Sequence, residues 1–133
     1  MSPRAEAGQA AAPESGRTPA ELARLIAEIA DDKKGEEIIA LDVGDLVSYT
    51  DYLVIATARN ERQAKAIVDE VRLRLKRDEG RLPARAEGEG EARWVLLDYL
   101  DCVLHVQVPE MRDRYRLERL WGEAPVLTLP GAD

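Results

Sequence analysis

The sequence of 133 residues contains no phenylalanine, one histidine (His105) and one cysteine (Cys102). A single cysteine cannot close an internal disulfide, and a single histidine excludes a multi-histidine metal site. Paired C-x-x-C motifs are absent, so structural zinc has no ligand set. Together with the lack of a secretory leader, the lone thiol points to a reducing cytoplasm. No run reaches the roughly 18 apolar residues that a membrane-spanning helix requires, so no membrane partner is expected. Basic residues are outnumbered, 19 against 26 acids, for a formal charge of −7. That balance argues against DNA or RNA as the main partner, since gripping a phosphate backbone begins with a basic patch. It suits encounter with a basic protein instead. No glycine-rich strand–loop–helix exists to cradle phosphates, because GEGE at 88–91 has the wrong setting and the wrong charge.

What is present is enough for one domain: 45% hydrophobic residues for a core and 34% charged residues for a solvated surface. Residues 1–17, rich in Ala, Gly, Ser and Pro without hydrophobic periodicity, read as a disordered tail. The domain is expected over 18–121. Thr18, Pro19 and Glu21 are a helix-start signal, and Leu22, Leu25, Ile26 and Ile29 recur at helical spacing until Lys33, Lys34 and Gly35 stop them. EIIALDV at 37–43 and DYLVIATA at 51–58 are continuous apolar runs, the pattern of strands covered on both faces. Asn60 and Gln63 open a second helix whose stripe is Ala64, Ile67, Val68, Val71 and Leu75. Its other face carries Arg62, Lys65, Arg72, Lys76 and Arg77, and Gly80 follows its end.

GRLPARAEGEGEA at 80–92 predicts a loop or an irregular edge. WVLLD at 94–98 and CVLHVQV at 102–108, separated by three residues, predict a hairpin that Pro109 ends. A helix is expected over about 110–121, then an extended tail over 122–133. The order helix, strand, strand, helix, strand, strand, helix defines an α/β fold with a mixed β-sheet flanked by helices.

Candidate chemistry is sparse. Asp42, Asp45, Asp51, Asp98 and Asp101 lie at strand ends, where paired carboxylates can hold Mg²⁺ for nucleotidyl transfer, yet no D-x-D pair or phosphate loop accompanies them. His105 stands mid-strand without a marked nucleophile, and Cys102 has no flanking cation to lower its pKa. Trp94, Tyr99, Tyr115 and Trp121 are core or interface aromatics. Tyr99, at the hairpin turn, is expected to be exposed, and Trp121 to pack on the sheet. These features favour a binding module over an enzyme.

Three segments carry a resemblance. They are IIALDV at 38–43 with TDYLVIATARNERQAKAI at 50–67, GEARWVLLDYLDCVLHVQV at 90–108, and RYRLERLW at 114–121. In this order and spacing the chain resembles the ribosomal silencing factor, or iojap, family from Pro19 to Trp121. Trp94 and Asp98 match the family's W-[VI]-x-x-D strand, Asp101 its hairpin acid and His105 its H-V pair. Tyr115, Glu118, Leu120 and Trp121 match its Y-x-L-E-x-L-W helix, and Asp51 and Tyr52 its T-D-[YC] strand start. Leu100 stands where the family usually has glycine, and Gln107 follows His105-Val106 where an aromatic is common.

The resemblance implies a nucleotidyltransferase-like fold without the catalytic signature and without a cofactor. It implies binding to the large ribosomal subunit through its basic protein L-fourteen, exclusion of the small subunit, and lowered translation when nutrients are scarce. It also implies a homodimer when free, and in organelles a role in large-subunit assembly. Trp94, Asp98, Tyr99, Asp101, His105, Arg112 and Tyr115 are the expected contact residues, with alanine at Asp98 or Tyr99 expected to weaken binding without unfolding the domain. Two alternatives stand beside this reading: a Mg²⁺-dependent nucleotidyltransferase built on Asp42, Asp45 and Asp51, and an assembly factor touching ribosomal RNA through Lys65, Arg72 and Lys76.

Overall fold

Thr18 closes a full capping box: its Oγ1 accepts the Glu21 amide at 3.1 Å, and Glu21 Oε1 accepts the Thr18 amide at 2.9 Å. Helix α1 follows over Pro19–Asp32 in the computed structural model, which describes residues 17–129. The expected disordered segment lies outside the described residues except for Arg17, whose guanidinium pairs with Glu79 at 2.9 Å. At the far end of α1 the left-handed residue is Lys34 (φ 70°), not Gly35. Gly35 is needed for proximity instead, since a Cβ there would lie 3.0 Å from the Ala30 carbonyl oxygen that its amide already engages.

Strands β1 (Glu36–Asp42) and β2 (Tyr52–Thr57) pair antiparallel, with an irregularity between Glu36 and Ile39 where Glu37 takes φ 48°. Helix α2 (Glu61–Glu79) ends on left-handed Gly80 (φ 66°). Its cap departs from the expected box. Asn60 accepts the Gln63 amide, but Gln63 Oε1 reaches the Arg59 amide and its Nε2 donates to the Lys33 and Lys34 carbonyls. The start of α2 is thereby sewn to the end of α1.

The polar stretch supplies β3 (Arg85–Glu87), which pairs with β4 (Trp94–Asp98); β4 forms the predicted hairpin with β5 (Cys102–Gln107). Gly88 (φ 83°) permits the return from β3, because a Cβ there would fall on the Trp94 carbonyl oxygen. The sheet order is β1-β2-β5-β4-β3, with β2 and β5 parallel at its centre and the other pairs antiparallel. Central strands covered on both faces account for the unbroken apolar runs.

One face of the sheet packs Val54, Ala56, Leu97, Leu104 and Val106 under α1 and α2. The other packs Leu41, Leu53, Ile55 and Val103 under the C-terminal segments. The single helix expected over 110–121 is two, α3 (Pro109–Arg114) and α4 (Leu117–Leu120), because Tyr115 and Arg116 leave helical geometry (ψ 80° and 81°). The break turns Leu117 inward and leaves Tyr115 outside. Beyond Trp121 the chain runs along β1: Leu127 donates to the Ala40 carbonyl, Asp42 donates to the Pro125 carbonyl, and Leu127 and Leu129 pack on the core.

The hairpin closes despite the missing glycine, since Leu100 itself adopts φ 76°. Leu100 is 58% exposed, so its side chain returns little burial for that strain. An L-residue in the left-handed region costs about 1 kcal/mol relative to glycine. Leu100→Gly is therefore expected to raise the unfolding free energy by about that amount, read in urea as a higher midpoint at unchanged m. An unchanged or lower midpoint refutes the strain.

Candidate functional site

Alternation along β4 and β5 puts Trp94, Leu96, Asp98 and His105 on the face away from α1 and α2. On β1, β2 and the middle of β5 this face is sealed by α4 and the chain after it. Along β4 it is only half covered. Trp94 Nε1 donates to His105 Nδ1 at 3.0 Å, and the Trp94 ring meets Tyr115 with centroids 5.2 Å apart. Burial pushes the His105 pKa down to about 4, so the ring is neutral at physiological pH. With Nδ1 accepting, its remaining proton sits on Nε2. Tyr115 is 45% exposed, so the non-helical residue between α3 and α4 lays an aromatic lid on Trp94 with one side to solvent.

Towards the hairpin the strip continues into Leu96, Asp98 and Tyr49. Burial and the Asp98 charge both raise the Tyr49 pKa, which places its ring in the field of that carboxylate. Tyr49 (57% exposed) and Leu46 (47% exposed) come from the β1–β2 connection. In sequence, GDLVSYT at 44–50 reads only as the connection between two strands and neither residue stands out; the signal was its apolar content in a segment that no strand or helix claims.

The structure separates the other expected contact residues from this strip. Tyr99 is buried at 1% exposure under the helices, correcting the expectation that the turn exposes it. Residue 99 continues the alternation of β4 onto the α-helical face, and burial pushes its hydroxyl pKa up to about 12. Alanine there deletes core, so it cannot serve as a clean interface probe. Arg112 is also interior, at 3% exposure. It donates to Thr57 Oγ1 and the Glu37 carbonyl at 2.8 Å each and faces Glu118 at 3.4 Å. Asp98 accepts the Leu100 amide at 2.8 Å as the cap of the turn, and Asp101 pairs with Arg81 at 2.9 Å. Of the seven residues singled out, Trp94, His105 and Tyr115 are brought together, Asp98 flanks them, Asp101 braces the hairpin, and Tyr99 and Arg112 are core.

The structure brings the three acids of the enzymatic alternative to one cleft but does not group them as metal ligands. Asp42 accepts the Gly44 amide, and Asp42, Asp45 and Asp51 edge an open cleft of about 440 Å³ beside Thr18 and Tyr52. Among the described residues no three His, Cys, Asp or Glu side chains are grouped to hold a metal ion. Cys102 is fully buried, and burial drives its thiol pKa up, away from nucleophilic use. No helix among the described residues is long and apolar enough to cross a membrane.

The fold and this strip define an α/β domain that presents a half-open aromatic face on the β4–β5 hairpin. The family described as ribosomal silencing factor during starvation matches residues 16–133. The chain is 38% identical over 111 residues to the ribosomal silencing factor of Halalkalibacterium halodurans, covering 84% of this chain and 94% of that one. A crystal structure of a Chromobacterium violaceum protein superposes with a TM-score of 0.76 at 36% identity, covering 88% of this chain and 98% of that one. A chloroplastic Iojap protein of Arabidopsis thaliana is 35% identical over 109 residues, 81% of this chain and 44% of the plant protein. The mouse mitochondrial assembly of ribosomal large subunit protein 1 is 30% identical over 91 residues, 67% of this chain and 40% of that one. The chain belongs to the ribosomal silencing factor family.

Proposed function

We propose that the chain binds the large ribosomal subunit through its protein L-fourteen and, seated there in the cytoplasm, blocks joining of the small subunit and so lowers translation under nutrient limitation. The observation that carries this reading is the half-open strip of Trp94, His105 and Tyr115 running to Tyr49 and Asp98. Desolvated aromatics surrounded by polar groups are the usual anchors of a protein–protein contact. Family membership and the mouse relative's name support a ribosomal setting and, within it, the large subunit. The acids at the hairpin end suit a basic partner and make the on-rate salt-sensitive.

No bond need be made or broken in this reading. A domain of this length is about 30 Å across, enough to obstruct an opposing particle by occupancy alone. In the free protein the chain is expected to be a homodimer.

Tyr115 and Tyr49 are the cleanest probes, because both side chains are exposed. Tyr115→Ala and Tyr49→Ala are expected to weaken co-sedimentation with purified large subunits at least tenfold, the scale of a lost aromatic anchor, and to restore formation of intact ribosomes in a sucrose gradient. If the wild-type chain travels with neither subunit and leaves their pairing intact, the reading fails.

A further inference from the structure

Three arginines of α2 are neutralised one by one. Arg72 pairs with Glu89 at 2.7 Å, Arg74 with Glu70 and Asp32 at 2.8 and 3.1 Å, and Arg77 with Asp78 at 2.8 Å. This removes Arg72 from the basic stripe read in the sequence. Lys76 stays exposed on α2, and five other cations gather elsewhere. Lys33 and Lys34 at the end of α1, Arg59 in the β2–α2 turn, and Arg62 and Lys65 in the first turns of α2 are all exposed. None has an ion pair among the described residues. The Gln63 clamp holds the three segments together, and Lys33, Lys34, Arg59 and Arg62 line a concavity of about 430 Å³.

Asp32, on the rim, is already committed to Arg74, and Glu61 pairs with neither Arg59 nor Arg62. As the first two residues of α2, Glu61 and Arg62 have amides without an intrahelical acceptor. Charge is thus segregated along the sheet. Asp42, Asp51, Asp98 and Asp101 lie at the end where Tyr52 pairs with Cys102, whereas this cationic corner lies at the end where Thr57 pairs with Gln107 and Gln107 with Trp94.

We propose that this corner is a second ribosomal contact, made to the phosphate backbone of ribosomal RNA. The inference rests on the proposed seat on the large subunit. Five exposed cations drawn from three chain segments and without ion pairs among the described residues present a surface that attracts a phosphate backbone. A small-molecule site would instead enclose its ligand, whereas this concavity is open and every lining cation is in solvent. Each phosphate neutralised releases counterions, so the contact is strongly salt-dependent. It fixes orientation while the aromatic strip supplies the protein-specific part, the same division that separates phosphate contacts from reading contacts in nucleic-acid recognition.

The test uses the full chain and a fluorescently labelled 20-base-pair RNA hairpin, with anisotropy titrations between 50 and 200 mM KCl. The double variant Arg59→Glu/Arg62→Glu is expected to bind the hairpin at least tenfold more weakly. The slope of log K against log salt should become shallower by roughly two, one per lost phosphate contact. Co-sedimentation with large subunits should weaken severalfold. Tyr115→Ala, by contrast, should keep wild-type affinity for the RNA hairpin while losing the subunit, so failure of the aromatic seat and failure of the cationic corner read out separately. If charge reversal lowers the melting temperature, Arg59→Gln/Arg62→Gln replaces it with the same expected direction. Equal RNA affinity of wild type and variant at every salt concentration overturns the proposal. So does displacement of the hairpin by poly-glutamate at equal charge concentration, which assigns the corner to an acidic protein. A one-to-one calorimetric isotherm for inorganic triphosphate that the variant loses also overturns it, by making the corner a small-polyphosphate site.

Discussion

Arg112→Ala is expected to lower the unfolding free energy by about 3 kcal/mol, the lower end of the cost of stripping one partner from a buried ion pair. For a domain of this size the melting temperature should fall on the order of 10 °C. The side chain is the only link that ties α3 at once to Thr57 on β2, to the irregular Glu37 carbonyl on β1 and to Glu118 on α4 among the described residues. Removing it leaves Thr57 and the Glu37 carbonyl without that donor and leaves Glu118 with Arg116 as its remaining ion-pair partner, at 3.2 Å. Burial alone would raise the Glu118 pKa; its own backbone amide and the Arg112 and Arg116 charges outweigh that and hold it below the ordinary value.

Arg112→Lys should recover less than half of the loss. An ammonium is a single point donor and cannot span the three acceptors that a planar guanidinium reaches. Arg112→Met with Glu118→Gln should be milder than Arg112→Ala, since no uncompensated charge is left inside. Chemical denaturation of the four variants checks this order. A loss below about 1 kcal/mol for Arg112→Ala, with binding to the large subunit abolished, would return Arg112 to the contact surface.

Acidification should selectively cost the wild type what His105 contributes. The imidazole pKa is depressed from 6.5 to about 4 in the folded protein by burial. Between those values the unfolded chain binds the proton that the native state refuses. Stability from this group is therefore complete above pH 6.5 and drains away as pH falls towards 4. The depression corresponds to about 3 kcal/mol at most, discounted to about 2 because the ring is only partly covered. Protonation also turns Nδ1 from an acceptor into a donor and breaks the Trp94 bond, which unpins the aromatic strip.

His105→Asn keeps an acceptor towards Trp94 Nε1 and cannot titrate in this range. Measured by urea unfolding at pH 7 and pH 4.5, the wild type should lose about 2 kcal/mol more than His105→Asn. Large-subunit binding should weaken over the same window in the wild type alone. Parallel pH profiles would show that His105 is not the group responsible.

Most of the architecture was legible from local rules. The Thr18–Glu21 box, the Asn60 cap, the apolar runs of β1 and β2 and the β4–β5 hairpin all follow from residue type and spacing over a few positions, and each forms where expected. The site was legible only in part. Trp94, His105 and Tyr115 were singled out and do meet. Tyr99 and Arg112 were singled out on the same grounds and lie inside. A tyrosine at a turn and an arginine on a short helix look exposed when only neighbours in sequence are considered, and which side of a strand or helix is covered depends on elements far along the chain.

The sequence by itself determined an acidic α/β fold, because hydrophobic period, capping chemistry and turn residues act over short range, while three motif segments in register carried the resemblance to the ribosomal silencing factor family. Only the tertiary structure decided which polar and aromatic groups are free to act. The break at Tyr115 opens the aromatic strip, Arg112 is spent inside, and Arg72, Arg74 and Arg77 are paired with carboxylates, two of them, Glu89 and Asp32, from outside α2. Charge pairing and burial depend on distance in space, and a linear order of residues does not contain those distances.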